Sequence, residues 1–143
     1  MSDALYETDI LVWSERQGEL LRRIASGERV NDADLDWPNI AEEIEDVGRN
    51  ALHAVESLLF QALVHTLKAE AWPQSLAAPS WRAEARGFRF QAASRFSPSM
   101  RQRIDIPRLY AKALKTLPEA VDGLPPLPVA NTCPVTLDEL LAD

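Results

Sequence analysis

Apolar residues recur every three or four positions in two long stretches of the chain, the spacing of one face of an α-helix. The first stretch predicts a helix from about Asp3 to Ala25. The second predicts a longer helix that begins after a capping Asp36 and stops before Pro73. The predicted inward face of this second helix consists of Ile40, Ile44, Val47, Ala51, Val55, Leu58 and Ala62.

Serine, threonine and proline mark the starts of shorter helices in the second half of the chain. The predicted elements are a third helix from Ser80 to about Phe96, a short helix from Ser97-Pro98 to about Ile104, a helix from Pro107 to about Thr116, and a last turn after Thr136. Thr136 has Glu139 three residues later, which is the spacing of a capping box.

Residues 117–134 contain five prolines, so they are predicted to form neither a helix nor a central strand. Pro125-x-x-Pro128 has the spacing of a polyproline ligand, but the neighbouring leucines favour an apolar strap packed across the helices. No segment alternates with the period of a strand. We therefore predict an all-α fold, a single compact domain of four to six helices over residues 1–143, with a Pro-rich C-terminal strap.

Length and composition are those of an ordinary soluble domain: 143 residues, 46% hydrophobic and 26% charged. The acidic N-terminus has no signal-peptide pattern, and the uncharged runs are too short for a membrane span. Cys133 is the only cysteine, so no intrachain disulfide is expected. These features predict a cytoplasmic protein with no membrane contact.

Charge is distributed unevenly along the chain. The net charge of −7 argues against nucleic acid as a partner, because phosphates repel an acidic protein. Residues 1–70 carry a net charge of −9, whereas residues 71–115 carry +7. Mutual pairing of the two halves is the favoured explanation, and an anionic ligand on the basic face is the alternative.

Five carboxylates lie within eleven residues at the start of the second helix: Asp36, Glu42, Glu43, Glu45 and Asp46. The favoured explanation is electrostatic: these acids stabilise the helix N-terminus and pair with arginines of the same chain. Arg82, Arg86 and Arg89 share one face of the third helix and are the candidate counterparts. Arg89 and Arg95 are better placed than Arg82 for the 42–46 block, and Arg82 is expected near His65 and Lys68. A partner-binding surface is the second explanation.

A metal or acid–base site is the third explanation. Its candidate residues are Glu42, Glu43, Asp46 and His65. Helical carboxylate sites for two metal ions pair Glu with a His three residues later, and here no His follows these glutamates at that spacing. His65 is expected to be a buried, hydrogen-bonded histidine, and His53 a solvated one. No phosphate loop, dinucleotide fingerprint or nucleophile elbow occurs, so we expect no cofactor.

Several short motifs resemble a bacterial family known only as "domain of unknown function 29". They are Tyr6, Asp9 and Trp13 in "YETDILVW", "IAEEIEDVG" at 40–48, "HTLK" at 65–68, "SWR" at 80–82, "SPSM" at 97–100 and "CPVTLDELL" at 133–141. These motifs span almost the whole chain in order. The resemblance implies a small all-helical cytoplasmic protein and implies no activity.

We therefore expect an interaction or regulatory module rather than an enzyme, with a protein partner or a second copy of the chain as its target. Its expected surface residues are Trp13, Trp37, Glu42, Glu45, Asp46, Trp81, Arg82, Arg86 and Arg89. The alternative is a metal-binding protein or an enzyme that uses carboxylates and histidine.

Overall fold

The structure, a computed structural model, describes residues 2–142 of the chain. Within those residues it has six α-helices and no strand, which confirms the all-α prediction. The helices are α1 (Ser2–Thr8), α2 (Ile10–Ala25), α3 (Trp37–Ala71), α4 (Ala78–Arg95), α5 (Ile106–Thr116) and α6 (Leu137–Leu141), with 3₁₀ turns at Asp32–Asp34 and Pro98–Gln102. No helix in this part of the chain has the length and apolar character needed to cross a membrane.

The predicted first helix is interrupted at Asp9, so it forms two helices instead of one. Asp9 has non-helical backbone angles, and its carboxylate accepts a hydrogen bond from the Val12 N–H at 3.2 Å. An aspartate in this position caps the first turn of α2. The interruption escaped sequence analysis because the apolar spacing continues through it.

The shorter elements lie close to their predicted positions, with two differences. The helix predicted from Ser97-Pro98 to about Ile104 is a 3₁₀ turn at Pro98–Gln102. Helix α4 begins at Ala78, two residues before the predicted cap Ser80, with Pro79 in its first turn. The carboxylate of Asp105 caps α5 by accepting from the Arg108 N–H. The predicted capping box of α6 is confirmed: the Thr136 hydroxyl accepts from the Glu139 N–H, and the Glu139 carboxylate accepts from the Thr136 N–H.

The chain divides within α3, between Arg49 and Asn50, into two compact units. The prediction of one domain over residues 1–143 stays a prediction, since compactness and independent folding are different properties. The first unit has a small core of Trp13, Leu35 and Ile40, packed against by partly buried Leu5, Tyr6, Leu20, Leu21 and Val30.

The second unit has a larger core built around the C-terminal half of α3. Val55 and Leu59 are fully buried, and Leu67 is nearly so. Further buried members come from α4, the second 3₁₀ turn and the connection after it, α5 and α6, and include Ala92, Met100, Ile104, Ile106, Leu109, Tyr110, Ala113 and Leu140. These residues surround the C-terminal half of α3.

The proline-rich segment between α5 and α6 is held by hydrogen bonds to its own unit. The Trp72 indole N–H donates to the Leu124 carbonyl at 2.9 Å, and the Leu127 N–H donates to the Ala71 carbonyl at 2.9 Å. Further along, the Tyr110 hydroxyl donates to the Ala130 carbonyl at 2.6 Å. Residues 122–128 are nevertheless exposed.

Candidate functional site

A buried polar network joins α2 to the start of α3. The Trp13 indole N–H donates to Asp36 Oδ2 at 2.9 Å, and Asn39 Nδ2 donates to the same oxygen at 2.8 Å. Gln17 accepts from the Asp36 N–H at 2.9 Å through Oε1 and donates to the Asp34 carbonyl at 3.2 Å through Nε2. Asp36 is only 4% exposed, so its carboxylate is a structural tie within the first unit.

The Tyr6 hydroxyl donates to Glu43 Oε1, which links α1 to the second turn of α3. The hydrogen bond to Glu43 and the negative charge of Glu43, Asp46 and Glu42 hold the proton on the phenol, so they raise the pKa of Tyr6 to about 12. The Tyr6 ring also meets the Trp13 ring edge to face, with centroids 4.8 Å apart. Glu43 is therefore occupied by a protein contact.

Arg49 holds two other acids of the block. Its guanidinium pairs with the Glu42 carboxylate, and its Nε donates to Asp46 Oδ1 at 2.9 Å. These carboxylates in turn raise the pKa of Arg49. The basic partner of these two carboxylates is therefore an arginine of the same helix. Sequence analysis overlooked it because it sought the basic partners on another helix.

One face of α3 in the first unit carries apolar side chains that lie in solvent. Ile44 is 66% exposed and Val47 is 72% exposed, although both were predicted to point into the core. Ala41 and Gly48 lie on the same face and are also exposed. We call Ala41, Ile44, Val47 and Gly48 the exposed α3 stripe. The predicted inward face is buried at Ile40, Val55 and Ala62, but the prediction of burial was wrong at Ile44, Val47 and Ala51.

The tryptophans proposed as surface residues occupy different environments. Trp13 is 3% exposed, so it belongs to the core and is not an interaction residue. Trp37 is 44% exposed, and its indole N–H donates to Asp32 Oδ1 at 2.9 Å. Trp81 is half-buried, with the Lys68 ammonium 4.9 Å from its ring centroid. Of the three, Trp37 offers the most surface.

Arg89 does not pair with an acid, contrary to prediction. Its guanidinium donates to the carbonyls of Glu139, Leu140 and Ala142 at 2.9–3.1 Å, so it fastens the end of α6 to α4. Among the side chains of residues 4–142, Arg82 and Arg86 have no carboxylate within 4.0 Å. Helix α6 is the better ligand for Arg89 because its last carbonyls lack intrahelical partners.

His65 lies between two oxygen atoms of the second unit. Its Nδ1 is 2.8 Å from the Gln61 carbonyl, and its Nε2 is 2.8 Å from Glu84 Oε2. The carbonyl and the carboxylate are both hydrogen-bond acceptors, so the ring has an acceptor beside each of its nitrogens. The expectation of a hydrogen-bonded histidine holds, whereas Arg82 was expected in the place that Glu84 takes.

Each of the four candidate metal ligands contacts another side chain of the protein. Glu42 and Asp46 bind Arg49, Glu43 accepts from Tyr6, and His65 meets Glu84. Within the described part of the chain, no group of three or more His, Cys, Asp or Glu residues is arranged to hold a metal ion.

Comparison with known proteins identifies the family. The family model described as "Domain of unknown function DUF29" matches residues 5–143. The chain belongs to the DUF29 family. Among solved structures, it is similar to the 1.45 Å crystal structure of an alpha-helical protein of unknown function from Rhodospirillum rubrum ATCC 11170. The two chains are 31% identical, the TM-score is 0.68, and the match covers 95% of this chain and 88% of that chain. No curated protein gives a match.

Most motifs that carry the DUF29 resemblance form contacts inside this protein. Tyr6 binds Glu43, Trp13 binds Asp36, and Lys68 lies over Trp81. The "AEEIEDVG" block at 41–48 is different. Its acids make contacts within the first unit, but its apolar residues are the exposed α3 stripe.

Proposed function

We propose that this DUF29 protein is a protein-interaction module whose docking surface is the exposed α3 stripe. The observation that supports the proposal is the exposure of Ile44 and Val47, 66% and 72%, on a face with the spacing of a buried helix. Contiguous exposed apolar side chains rimmed by polar groups are typical of protein–protein contacts. Placing such side chains against a partner removes apolar surface from water.

The occupant we propose is a basic amphipathic helix of another protein. A helix is favoured because the stripe repeats every three or four residues, as in helix-to-helix recognition. Gly48 has no side chain, and a Cβ built on it meets no atom within 4 Å, so this position of the stripe is open. A partner backbone can therefore approach α3 closely at this point.

The negative charge of the first unit favours a basic partner on the stripe over a second copy of the same acidic surface. Residues 1–49 contain 13 acids and 5 bases, a net charge of −8. Glu45 is exposed at the edge of the stripe, one turn from both Ala41 and Gly48. Two such surfaces repel each other, whereas lysines and arginines beside an apolar partner face are attracted.

Two designed peptides test the proposal. Each is an amphipathic helix with a leucine face and is longer than about 15 residues, so that helix formation is favourable. One has lysine on its polar face and the other glutamate. We expect isothermal titration calorimetry to show binding of the lysine peptide, weakened by salt, and no binding of the glutamate peptide. Equal binding of both peptides would contradict the proposal.

Two variants assign the binding to the stripe. The change Ile44→Glu with Val47→Glu places charges on the apolar surface and is expected to abolish binding. Leu76→Glu is the matched control, because Leu76 is 98% exposed in the second unit and should tolerate charge. Retained binding by the double variant would sink the assignment. Analytical ultracentrifugation of the wild-type chain tests whether a second copy occupies the stripe instead. If the chain forms a dimer and Ile44→Glu dissociates it, the occupant is a second copy and the proposal of a basic partner is wrong.

A further inference from the structure

The segment Leu124-Pro125-Pro126-Leu127-Pro128 is exposed and contains two Leu-Pro dipeptides three residues apart. Leu124 and Leu127 are each 52% exposed, so these leucines retain about half of their surface for contact. Sequence analysis favoured an apolar strap in which these leucines pack across the helices, and that strap is not confirmed. Because the leucines are exposed, the segment is accessible to a partner that recognises its Pro-x-x-Pro spacing.

The backbone of this segment is restricted to an extended form. Proline fixes its own φ near −65° and drives the preceding residue away from the helical region. Three residues of the segment precede proline: Leu124, Pro125 and Leu127. Residues 125–130 lie in neither helix nor strand. In a polyproline II helix, which has three residues per turn, Leu124 lies above Leu127 and Pro125 above Pro128.

Contacts of the second unit fix the segment at each end. Asp122 and Gly123, with φ of 55° and 77°, make a tight turn in which Val121 and Leu124 exchange backbone hydrogen bonds of 3.0 Å. The Trp72 indole N–H then holds the Leu124 carbonyl, and the Ala71 carbonyl holds the Leu127 N–H. Beyond the prolines, Val129 packs against the core. One side of the segment is thus attached, and the prolines face solvent.

We propose that residues 124–128 are a preformed ligand for a partner domain that recognises polyproline II helices with an aromatic-lined groove. Such grooves accept Pro-x-x-Pro segments because these segments lose little conformational entropy on binding. Glu119 and Asp122 are exposed just before the segment, and residues 117–143 contain no base. A groove with a neutral or basic rim therefore fits this segment better than an acidic one. This surface is independent of the exposed α3 stripe, and its test is separate.

The test uses a panel of purified SH3, WW and EVH1 domains that have neutral or basic groove rims. Each domain is titrated into the full-length ¹⁵N-labelled chain. We expect at least one domain to bind with a Kd below about 1 mM and to shift the amide signals of Leu124 and Leu127. If no domain of the panel binds with a Kd below about 1 mM, the proposal is overturned.

Matched proline substitutions locate the binding. Pro125→Ala with Pro128→Ala removes both ridge prolines and is expected to weaken binding at least about tenfold. Pro118→Ala is the control, because Pro118 is exposed in the same connection but outside the ligand. If the double variant binds as tightly as wild type, the Leu-Pro ridges are not the ligand and the proposal fails.

A comparison with a free peptide tests whether the fixed geometry of the segment contributes to binding. A free peptide of residues 121–130 has the same prolines but lacks the bonds to Trp72 and Ala71. We expect the full-length chain to bind the selected domain more tightly than this peptide. Trp72→Phe keeps an aromatic ring but removes the indole N–H that donates to the Leu124 carbonyl, together with part of the ring volume. It should reduce that advantage while the circular dichroism spectrum stays unchanged. Equal affinities of chain and peptide would contradict a preformed ligand.

Discussion

The Tyr6 hydroxyl donates to the Glu43 carboxylate at 2.5 Å, across 37 residues of sequence, and so connects the first helix to the acidic block. The contact shows how the block is used within the first unit. Glu43 binds a phenol, Glu42 and Asp46 bind Arg49, and Asp36 holds an indole. Once the acids are assigned to these roles, the unexplained feature of the block is its exposed apolar stripe.

The pKa of Tyr6, raised to about 12, predicts a loss of stability at high pH. Glu43 favours the neutral phenol in the folded chain, so the folded pKa exceeds the ordinary value of about 10. The contribution is fully present below pH 10 and is lost as the pH rises towards about 12. We expect the difference in unfolding free energy between wild type and Tyr6→Phe to shrink over this range, measured by urea denaturation.

Tyrosinate absorbance gives an independent readout, because Tyr6 and Tyr110 are the only tyrosines of the chain. Burial raises the pKa of Tyr110 as well. In the folded chain both tyrosine hydroxyls should therefore ionise at a higher pH than free tyrosine does. In the Tyr6→Phe variant only the transition of Tyr110 should remain. A Tyr6 transition near pH 10 in the folded protein would contradict the Glu43 contact.

Removal of the Asp36 carboxylate should destabilise the first unit. Asp36→Ala leaves the Trp13 indole N–H without its acceptor in a core position, which costs about 1–3 kcal/mol. Asp46→Ala is the control. Its pair with Arg49 lies in solvent, and such pairs contribute about 0–1 kcal/mol. Urea denaturation followed by tryptophan fluorescence compares the two variants, and equal losses would argue against the network.

Loss of the Arg89 guanidinium should release α6. Arg89→Ala deprives three carbonyls of their donor, and hydrogen bonds to charged groups contribute about 1.5–3 kcal/mol. We expect a value at the lower end, since two of the three bonds are exposed. Arg86→Ala should change stability by no more than about 0.5 kcal/mol. Faster hydrogen exchange at Leu140 in the Arg89 variant, but not in the Arg86 variant, would identify the released helix.

The elements were largely predictable from sequence because their start signals are local. Thr136 marks the start of α6 through a contact with the Glu139 N–H three residues later. Helix α3 begins directly after Asp36, as predicted, although the Asp36 carboxylate accepts from the side chains of Trp13 and Asn39 and not from a helix N–H. The partners of charged groups were not predictable in this way. Arg89 binds carbonyls some 50 residues distant, and the sequence pattern contains no record of that approach. Likewise, the spacing of Ile44 and Val47 identifies a common face but does not say what covers it.

Two valines of the same helix test that last distinction directly. Val55 is fully buried in the core of the second unit, whereas Val47 is 72% exposed in the first. Val55→Ala removes buried methyl groups and leaves a cavity, so it should lower the free energy of unfolding by about 1.5–3 kcal/mol. Val47→Ala removes methyl groups that already lie in water. Because alanine has the higher helix propensity, this variant should be neutral or slightly more stable. Thermal and urea unfolding of both variants provide the comparison. A loss at Val47 as large as that at Val55 would mean that the stripe is already buried in solution, which would remove the basis for proposing it as a docking surface.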